Sequence, residues 1–358
     1  MLRYRLPAEW ESHRATWLAW PHEASDWPGK LDSVRWCYAD LVRHLADAET
    51  VELIVADRGQ ERTARSRLAR AGARADRLRW HRWATDRSWL RDTGGCFTVD
   101  VHTSSLTLVD WRFTGWAKYP NWQRDNRLPS RIAHVRDIPR LVATRPDTGQ
   151  PIVLEGGALD ANGAGAALVT EECLLDAHIQ PRNPGLGRDG VETALATYFG
   201  ITDLIWLGRG IVGDDTHGHV DDIARFISHD TVVAATEPNT ADENHGALAE
   251  NLRRLRHARP GGRRLRIVTL PMPRPLRFAG RRLPASYLNF FICNGLVLVP
   301  TFNDPADRTA LETLADLFPG REVRGVHAVD LVWGLGALHC LTLQEPARPA
   351  SPRSSLGA

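Results

Sequence analysis

The sequence is poor in lysine, cysteine and methionine. Of its 358 residues only Lys30 and Lys118 are lysines, five are cysteines and two are methionines. The cysteines (Cys37, Cys96, Cys173, Cys293, Cys340) are odd in number and form no CxxC pair, which argues against a disulfide framework and a structural zinc site. No run approaches the ~18 consecutive apolar residues of a membrane span. Residues 1–10 carry charges where a signal peptide needs an apolar core. A reduced, cytoplasmic protein without a membrane partner is therefore expected. Charge of one sign is lacking too: 45 basic against 43 acidic residues leave a formal +2, with no basic block beyond short arginine pairs. That pattern argues against a nucleic-acid partner. What is there is 43% hydrophobic and 25% charged, the composition of an ordinary globular protein. Thirteen tryptophans offer apolar area for a homodimer face, a core or a pocket.

The apolar segments recur in one order: a strand pair, a helix, and another short strand. One unit has a strand at 166–169, a helix at 191–199 and a strand at 204–207. The next has strands at 223–227 and 232–235, a basic amphipathic helix at 243–257 and a strand at 265–270. A third has strands at 287–292 and 296–300, a helix at 308–318 and a strand at 323–326. An earlier unit opens with strands at 96–99 and 106–111, followed by an irregular stretch at 113–126. At the amino end, helix 31–47 and strand 51–55 lack a hairpin, and the carboxyl end supplies a lone strand at 341–343. Joining the ends completes a fifth unit. Repeats of this length fit an α/β ring, a five-bladed propeller of pseudo-fivefold symmetry; a two-domain α/β sandwich is the alternative. Residues 1–346 are expected to form one domain, and the Pro/Ser-rich tail 347–358 to be disordered.

Unusual polar groups recur where each unit begins: Asp92, Glu155, His219 with Asp221, Ser286 to Asn289, and His339 with Cys340. Near-equal spacing places them at the start of each unit's first strand, so that they converge at the ring centre. Cys340 follows a glycine-spaced loop and is the strongest nucleophile candidate; a thiol needs a base or a nearby positive charge to act as thiolate. Cys37 and Cys293 lie in apolar stretches and read as small buried hydrophobes. The run His217-Gly-His219-Val-Asp221 permits a rival: alternate residues of a strand face one way and could clasp a metal. It resembles the HxHxDH signature of metallo-β-lactamase-type hydrolases, with Asp222 in place of the last histidine. Asp92, Glu155 and Asp221 would gather three acids near a thiol and an imidazole. A planar guanidinium suits that set, because each of its edges can donate two hydrogen bonds to a carboxylate.

Several segments carry a further resemblance: LPAEWESHRATWLAWPH at 6–22, WLRDTGGCF at 89–97, DWRFTGWAKY at 110–119, LEGGALD at 154–160, GDDTHGHVDDIARF at 213–226, ASYLNFFICNGLVLVPTFND at 285–304 and GLGALHCLTLQEP at 334–346. Together they resemble the agmatine deiminase family, related to bacterial peptidylarginine deiminase within the guanidine-modifying pentein superfamily. The resemblance implies a five-bladed α/β propeller with a central site and no metal or organic cofactor. It implies Cys340 as nucleophile, His219 as general acid and base, Glu155 as the group that orients His219, and Asp92 and Asp221 as the guanidinium clamp. Trp89, Trp116, Asp215 and Asn289 fall in the same motifs and are expected at the substrate. Asp214 or Asp215 reaching a distal amine would favour agmatine, whereas Arg112 facing the pocket would favour a carboxylate-bearing substrate. Three departures bear on that pocket: Gly95 where the family commonly has proline, the stretch Trp333-Gly334-Leu335-Gly336, and the pair Asp214-Asp215.

Overall fold

A computed structural model describes residues 2–348. Among them the strands form six sheets, one of them a two-stranded hairpin at Arg277–Phe278 and Arg281–Arg282. The other five share one plan: an antiparallel pair, a helical crossover and a parallel third strand. Phe291–Cys293 pairs antiparallel with Leu296–Thr301; helix Ala306–Leu317 then returns the chain to Glu322–His327, parallel to its neighbour. Ala224–Phe226, Thr231–Thr236, helix His245–His257 and Arg266–Pro271 repeat the plan, as do Asp160–Ala161, Ala166–Thr170, helix Gly187–Phe199 and Asp203–Leu207. In the sheet of Cys96–Asp100, Leu106–Asp110 and Arg140–Val142, the crossover is helix Leu128–Arg136 and Tyr4–Arg5 adds an edge.

Burial explains the plan. The middle strand Leu296–Thr301 carries the run LVLV, wholly buried because helices and neighbouring sheets cover both faces. The outer strand Glu322–His327 keeps Glu322 and His327 exposed, with Arg324 half-buried beside Asp47, polar groups that discourage edge pairing. Helix Leu31–Ala48 buries Val34, Tyr38, Leu41, Val42 and Leu45 along one stripe.

The two chain ends share a sheet. Leu343–Pro346 pairs antiparallel with His13–Ala19, which runs parallel to Thr50–Val55, itself parallel to Leu78–Arg82. The carboxyl-terminal strand thus begins at Leu343, two residues beyond the expected start, because Leu341 closes the helical turn Leu338–Leu341. Helix Arg58–Arg70, capped by Asp57 accepting from the Gln60 amide, completes the unit. The expected strand at 287–292 shortens to Phe291–Cys293. Ser286 Oγ donates to the Asp222 carbonyl and accepts from the Leu288 amide, holding the preceding residues in a turn. The tail expectation falls, from residue 349 onward, outside the described residues.

Candidate active site

The polar groups sit one step earlier than strand starts, on short helical turns leading into them. Asp92 lies in Leu90–Thr93 ahead of Cys96–Asp100, and Glu155 precedes Gly156–Ala158. His219 precedes Val220–Asp222, which holds Asp221, and Cys340 lies in Leu338–Leu341. A helical turn projects its side chains off the end of the sheet, and all five groups meet.

Cys340 Sγ accepts from Asn289 Nδ2 at 3.1 Å and stands 3.7 Å from Asp221 Oδ2. His219 is 1% exposed, its Nδ1 3.9 Å from Asp92 Oδ1 and its Nε2 3.7 Å from Glu155 Oε2. Neither ring nitrogen has a hydrogen-bond partner, and neither does Asp221 Oδ1; buried orphans of this kind mark a place for a ligand. Gly157 opens that place: a Cβ there would stand 2.5 Å from His219 Nδ1, 3.0 Å from Asp92 Oδ1 and 3.1 Å from Asp221 Oδ2. Asp92 is held by the Gly157 amide at 3.0 Å and by Trp116 Nε1 at 2.9 Å.

The electrostatics follow from burial set against neighbours. Burial disfavours the His219 imidazolium, but Asp92, Cys173 and Glu155 outweigh it and hold the pKa well above the usual histidine value. Burial likewise opposes ionising Glu155, yet Arg182 and His219 bring its carboxyl down to about 2. The Cys340 thiol is pushed well up, by burial first and then by Asp221, Asp222 and Asp92. Burial, Asp221 and Asp214 also raise the Asp222 carboxyl well above the carboxylate range, and it accepts from Asn289 Nδ2 at 3.0 Å.

A cavity of about 140 Å³ leads outward from Cys340. Trp89, Trp116 and Asp215 line it, as does Asp92. Asn289 meets the sulfur itself. The cavity is walled also by Asp26, Arg87 and Tyr119, which the motifs did not single out. Arg87 is ion-paired with Asp26, and burial raises the Asp26 carboxyl to about 7 despite that pairing. Asp215 is engaged by Lys118 and accepts from the Tyr119 hydroxyl at 2.5 Å.

Other expectations are corrected. His217, Asp221 and His219 do not converge as a metal clasp, because 217–222 is not a strand. His217 takes φ +65° and turns its Nε2 to Asp176 at 2.7 Å. Asp214 is not among the residues lining this cavity: it accepts from the amides of Thr216, Gly218 and His219. Arg112 sits over the Trp122 ring at 5.5 Å and lines a different cleft. Two groups at the site, Arg182 and Glu9, escaped the sequence reading. Arg182 Nε donates to both Glu155 oxygens at 3.1 and 3.3 Å, with its side chain wholly buried. Glu9 and His339 form a buried bond behind Asp221. The doublet His339-Cys340 was visible, but nothing local announced a partner 330 residues away.

Small mixed α/β sheets carrying a buried thiol, an imidazole and paired carboxylates at one centre define the class of a hydrolytic or transferase-type thiol site open to a cationic ligand. Comparison narrows the class. The model of the Porphyromonas-type peptidyl-arginine deiminase family matches residues 5–346, and the chain belongs to that family. The agmatine deiminase of Pseudomonas aeruginosa is 33% identical over 96% of each chain, and that of Stutzerimonas stutzeri 32% identical over the same shares. Among solved structures, agmatine deiminase of Enterococcus faecalis superposes with TM-score 0.88 at 28% identity, covering 97% of this chain and 96% of that one. A cysteine-to-serine variant of C. jejuni agmatine deiminase with substrate bound gives TM-score 0.84 at 26% identity over 96% and 97%.

Proposed function

We propose that the protein hydrolyses agmatine to N-carbamoylputrescine and ammonia through a covalent intermediate on Cys340. The observation that carries this reading is the meeting of the Cys340 thiol with Asp92 and Asp221 around the space that Gly157 leaves open. A guanidinium seated there pairs with both carboxylates. Its charge offsets the anions that keep the thiol protonated, so the thiolate forms as substrate binds; the proton passes to water in the pocket. The sulfur attacks the guanidinium carbon, the His219 imidazolium protonates the departing nitrogen, and ammonia leaves. The neutral imidazole then takes a proton from the attacking water, and collapse of the second adduct expels the thiolate and the ureido product. Glu155, fixed by Arg182, keeps His219 charged and oriented for the first step. Trp89, Trp116 and Asp215 contact the substrate's aliphatic chain and distal end, and Asn289 holds the sulfur. Each step uses side chains of this chain alone.

Residues 1–346 act in this reading as one domain, with the five three- and four-stranded sheets as blades of a closed pentein ring. A guanidino acid or peptidyl-arginine is the second reading, favoured by Arg87 on the cavity wall. The test is ureido-product formation from agmatine, arginine, a peptidyl-arginine and guanidinobutyrate, each with and without EDTA. The expected result is EDTA-insensitive turnover of agmatine. Loss of turnover with EDTA would sink the thiol mechanism, and turnover of another guanidine alone would reassign the pocket. Cys340→Ser should lower kcat by several orders of magnitude while substrate still binds, because the nucleophile acts only in the chemical steps.

A further inference from the structure

His339 has no part in the steps above, yet it is among the most tightly held side chains of the molecule. Its side chain is 3% exposed, with Nδ1 2.7 Å from Asp221 Oδ2 and Nε2 2.8 Å from Glu9 Oε2. A neutral imidazole has one N–H and can satisfy one of these acceptors; both are satisfied when each nitrogen carries a hydrogen. Glu9 is itself locked. Its Oε1 accepts from Arg225 Nη2 at 2.9 Å and the Ile292 amide at 2.8 Å, and its Oε2 accepts also from Arg91 Nη2 at 3.2 Å. Arg225 is pinned in turn by Asp160 at 2.6 Å and the Phe290 carbonyl at 2.8 Å. Burial would lift the Glu9 carboxyl, but Arg225, His339 and Arg91 hold it well below the ordinary range. The His339 amide donates to Asn289 Oδ1 at 3.0 Å, so ring and backbone are both fixed.

The oxygen that His339 occupies is the one nearest the nucleophile: Asp221 Oδ2 lies 3.7 Å from Cys340 Sγ, while Oδ1 stays free. We infer that His339 is a positioning residue: anchored by Glu9, it covers Asp221 Oδ2, leaving Oδ1 for the guanidinium and shielding the Cys340 sulfur from the adjacent negative charge. The inference rests on the thiol mechanism proposed above. The charged or titratable groups facing the sulfur are Asp92, Asp221 and Asp222, with His219 across the clamp. Of the two carboxylates that clamp the guanidinium, Asp221 has an oxygen bonded to an imidazole, whereas Asp92 is held by a glycine amide and an indole.

The test reads the thiol directly. Cys340 alkylation by iodoacetamide is followed against pH in the wild type, His339→Leu, His339→Asn and Glu9→Gln, with kcat and KM for agmatine measured alongside. An asparagine amide can stand where Nδ1 stands, so it keeps the donor to Asp221 and gives up Glu9. In His339→Leu the alkylation midpoint should move up by about one pH unit or more, equivalent to about 1.4 kcal/mol, and kcat should fall at least tenfold. His339→Asn should recover most of both, and Glu9→Gln should give a smaller upward shift. A folded Leu variant with the wild-type alkylation profile overturns the inference, as does an Asn variant no better than Leu. Should Leu fail to fold, Glu9→Gln decides, and a wild-type profile there overturns it. Alkylation needs no substrate, so an enzyme inert towards agmatine would refute the substrate reading while leaving this measurement intact.

Discussion

At the scale of residues, the site is a balance between burial and opposite charge. Glu155 shows it best, since a fully buried carboxylate keeps its charge only beside Arg182 and His219. Its folded pKa lies near 2 against an ordinary 4.5, so the stability it contributes is present above about pH 4.5 and lost as pH falls towards 2. Arg182→Met removes that partner. It should cost about 3–5 kcal/mol at pH 7, the usual penalty for removing one partner of a buried ion pair. Denaturant titrations at pH 7 and pH 4 should show the difference from wild type narrowing, though not vanishing, at the lower pH, where the mutant's Glu155 takes up a proton while the wild type's stays ionised. Gly157 makes a purely steric case. A single methyl there would sit 2.5 Å from His219 Nδ1, where the substrate belongs. Gly157→Ala should therefore lower kcat/KM by about 100-fold or more, and a value within tenfold of wild type would mean the guanidinium lies elsewhere. Gly95 is instructive in another way: its φ of +74° is closed to proline, so this loop cannot take the path that a proline at that position would impose.

At the scale of elements, each chemical group is delivered by a short helical turn ahead of a strand, and the strand's partners determine where the turn points. Cys340 depends on Leu343–Pro346, which hydrogen-bonds to His13–Ala19 at the opposite end of the chain. Glu345 ties the pair down. Buried to 1%, it accepts from Arg14 at 2.6 Å, Trp17 Nε1 at 2.8 Å and Arg136 at 2.7 Å. Glu345→Ala leaves the Trp17 indole without its acceptor and Arg136 with Glu52 as its remaining carboxylate. It should lower stability by about 1–3 kcal/mol, the usual cost of an unsatisfied buried donor, visible as an earlier denaturant midpoint. An unchanged midpoint would show that the seam is held by backbone pairing alone.

At the scale of the whole molecule, the bonds that define the centre join distant parts of the chain. Glu9 binds Arg91, Arg225, Ile292 and His339, and the Ala347 amide donates to the Ser12 carbonyl at 2.7 Å. No sheet completes its share of the site alone. Unfolding followed by tryptophan fluorescence, by far-ultraviolet circular dichroism and by Cys340 accessibility should therefore trace one coincident transition. A separate early loss of Cys340 protection would show that the terminal sheet opens independently. Among the described residues no helix is long and apolar enough to cross a membrane.

Much of this was legible in the chain. Strands such as those at 232–235 and 265–270 announce themselves through apolar runs bounded by turns, and a helix such as Leu31–Ala48 through its stripe of buried positions. The spaced clusters at Asp92, Glu155, His219, Asp221 and Cys340 named their own chemistry by residue type. Local pattern has no means of stating long-range pairing, so tertiary structure alone decided the rest. Arg182 looked like one arginine among many until the fold laid it against Glu155. Asp214 and Asp215 are neighbours of one type, yet one caps a loop while the other faces the cavity. His217 and His219, spaced as a metal pair would be on a strand, part company because a positive φ at His217 turns its ring to Asp176. Composition and periodicity record which groups are present and which faces must be buried; which charge compensates which is settled only when burial removes water and forces each ion to find a partner.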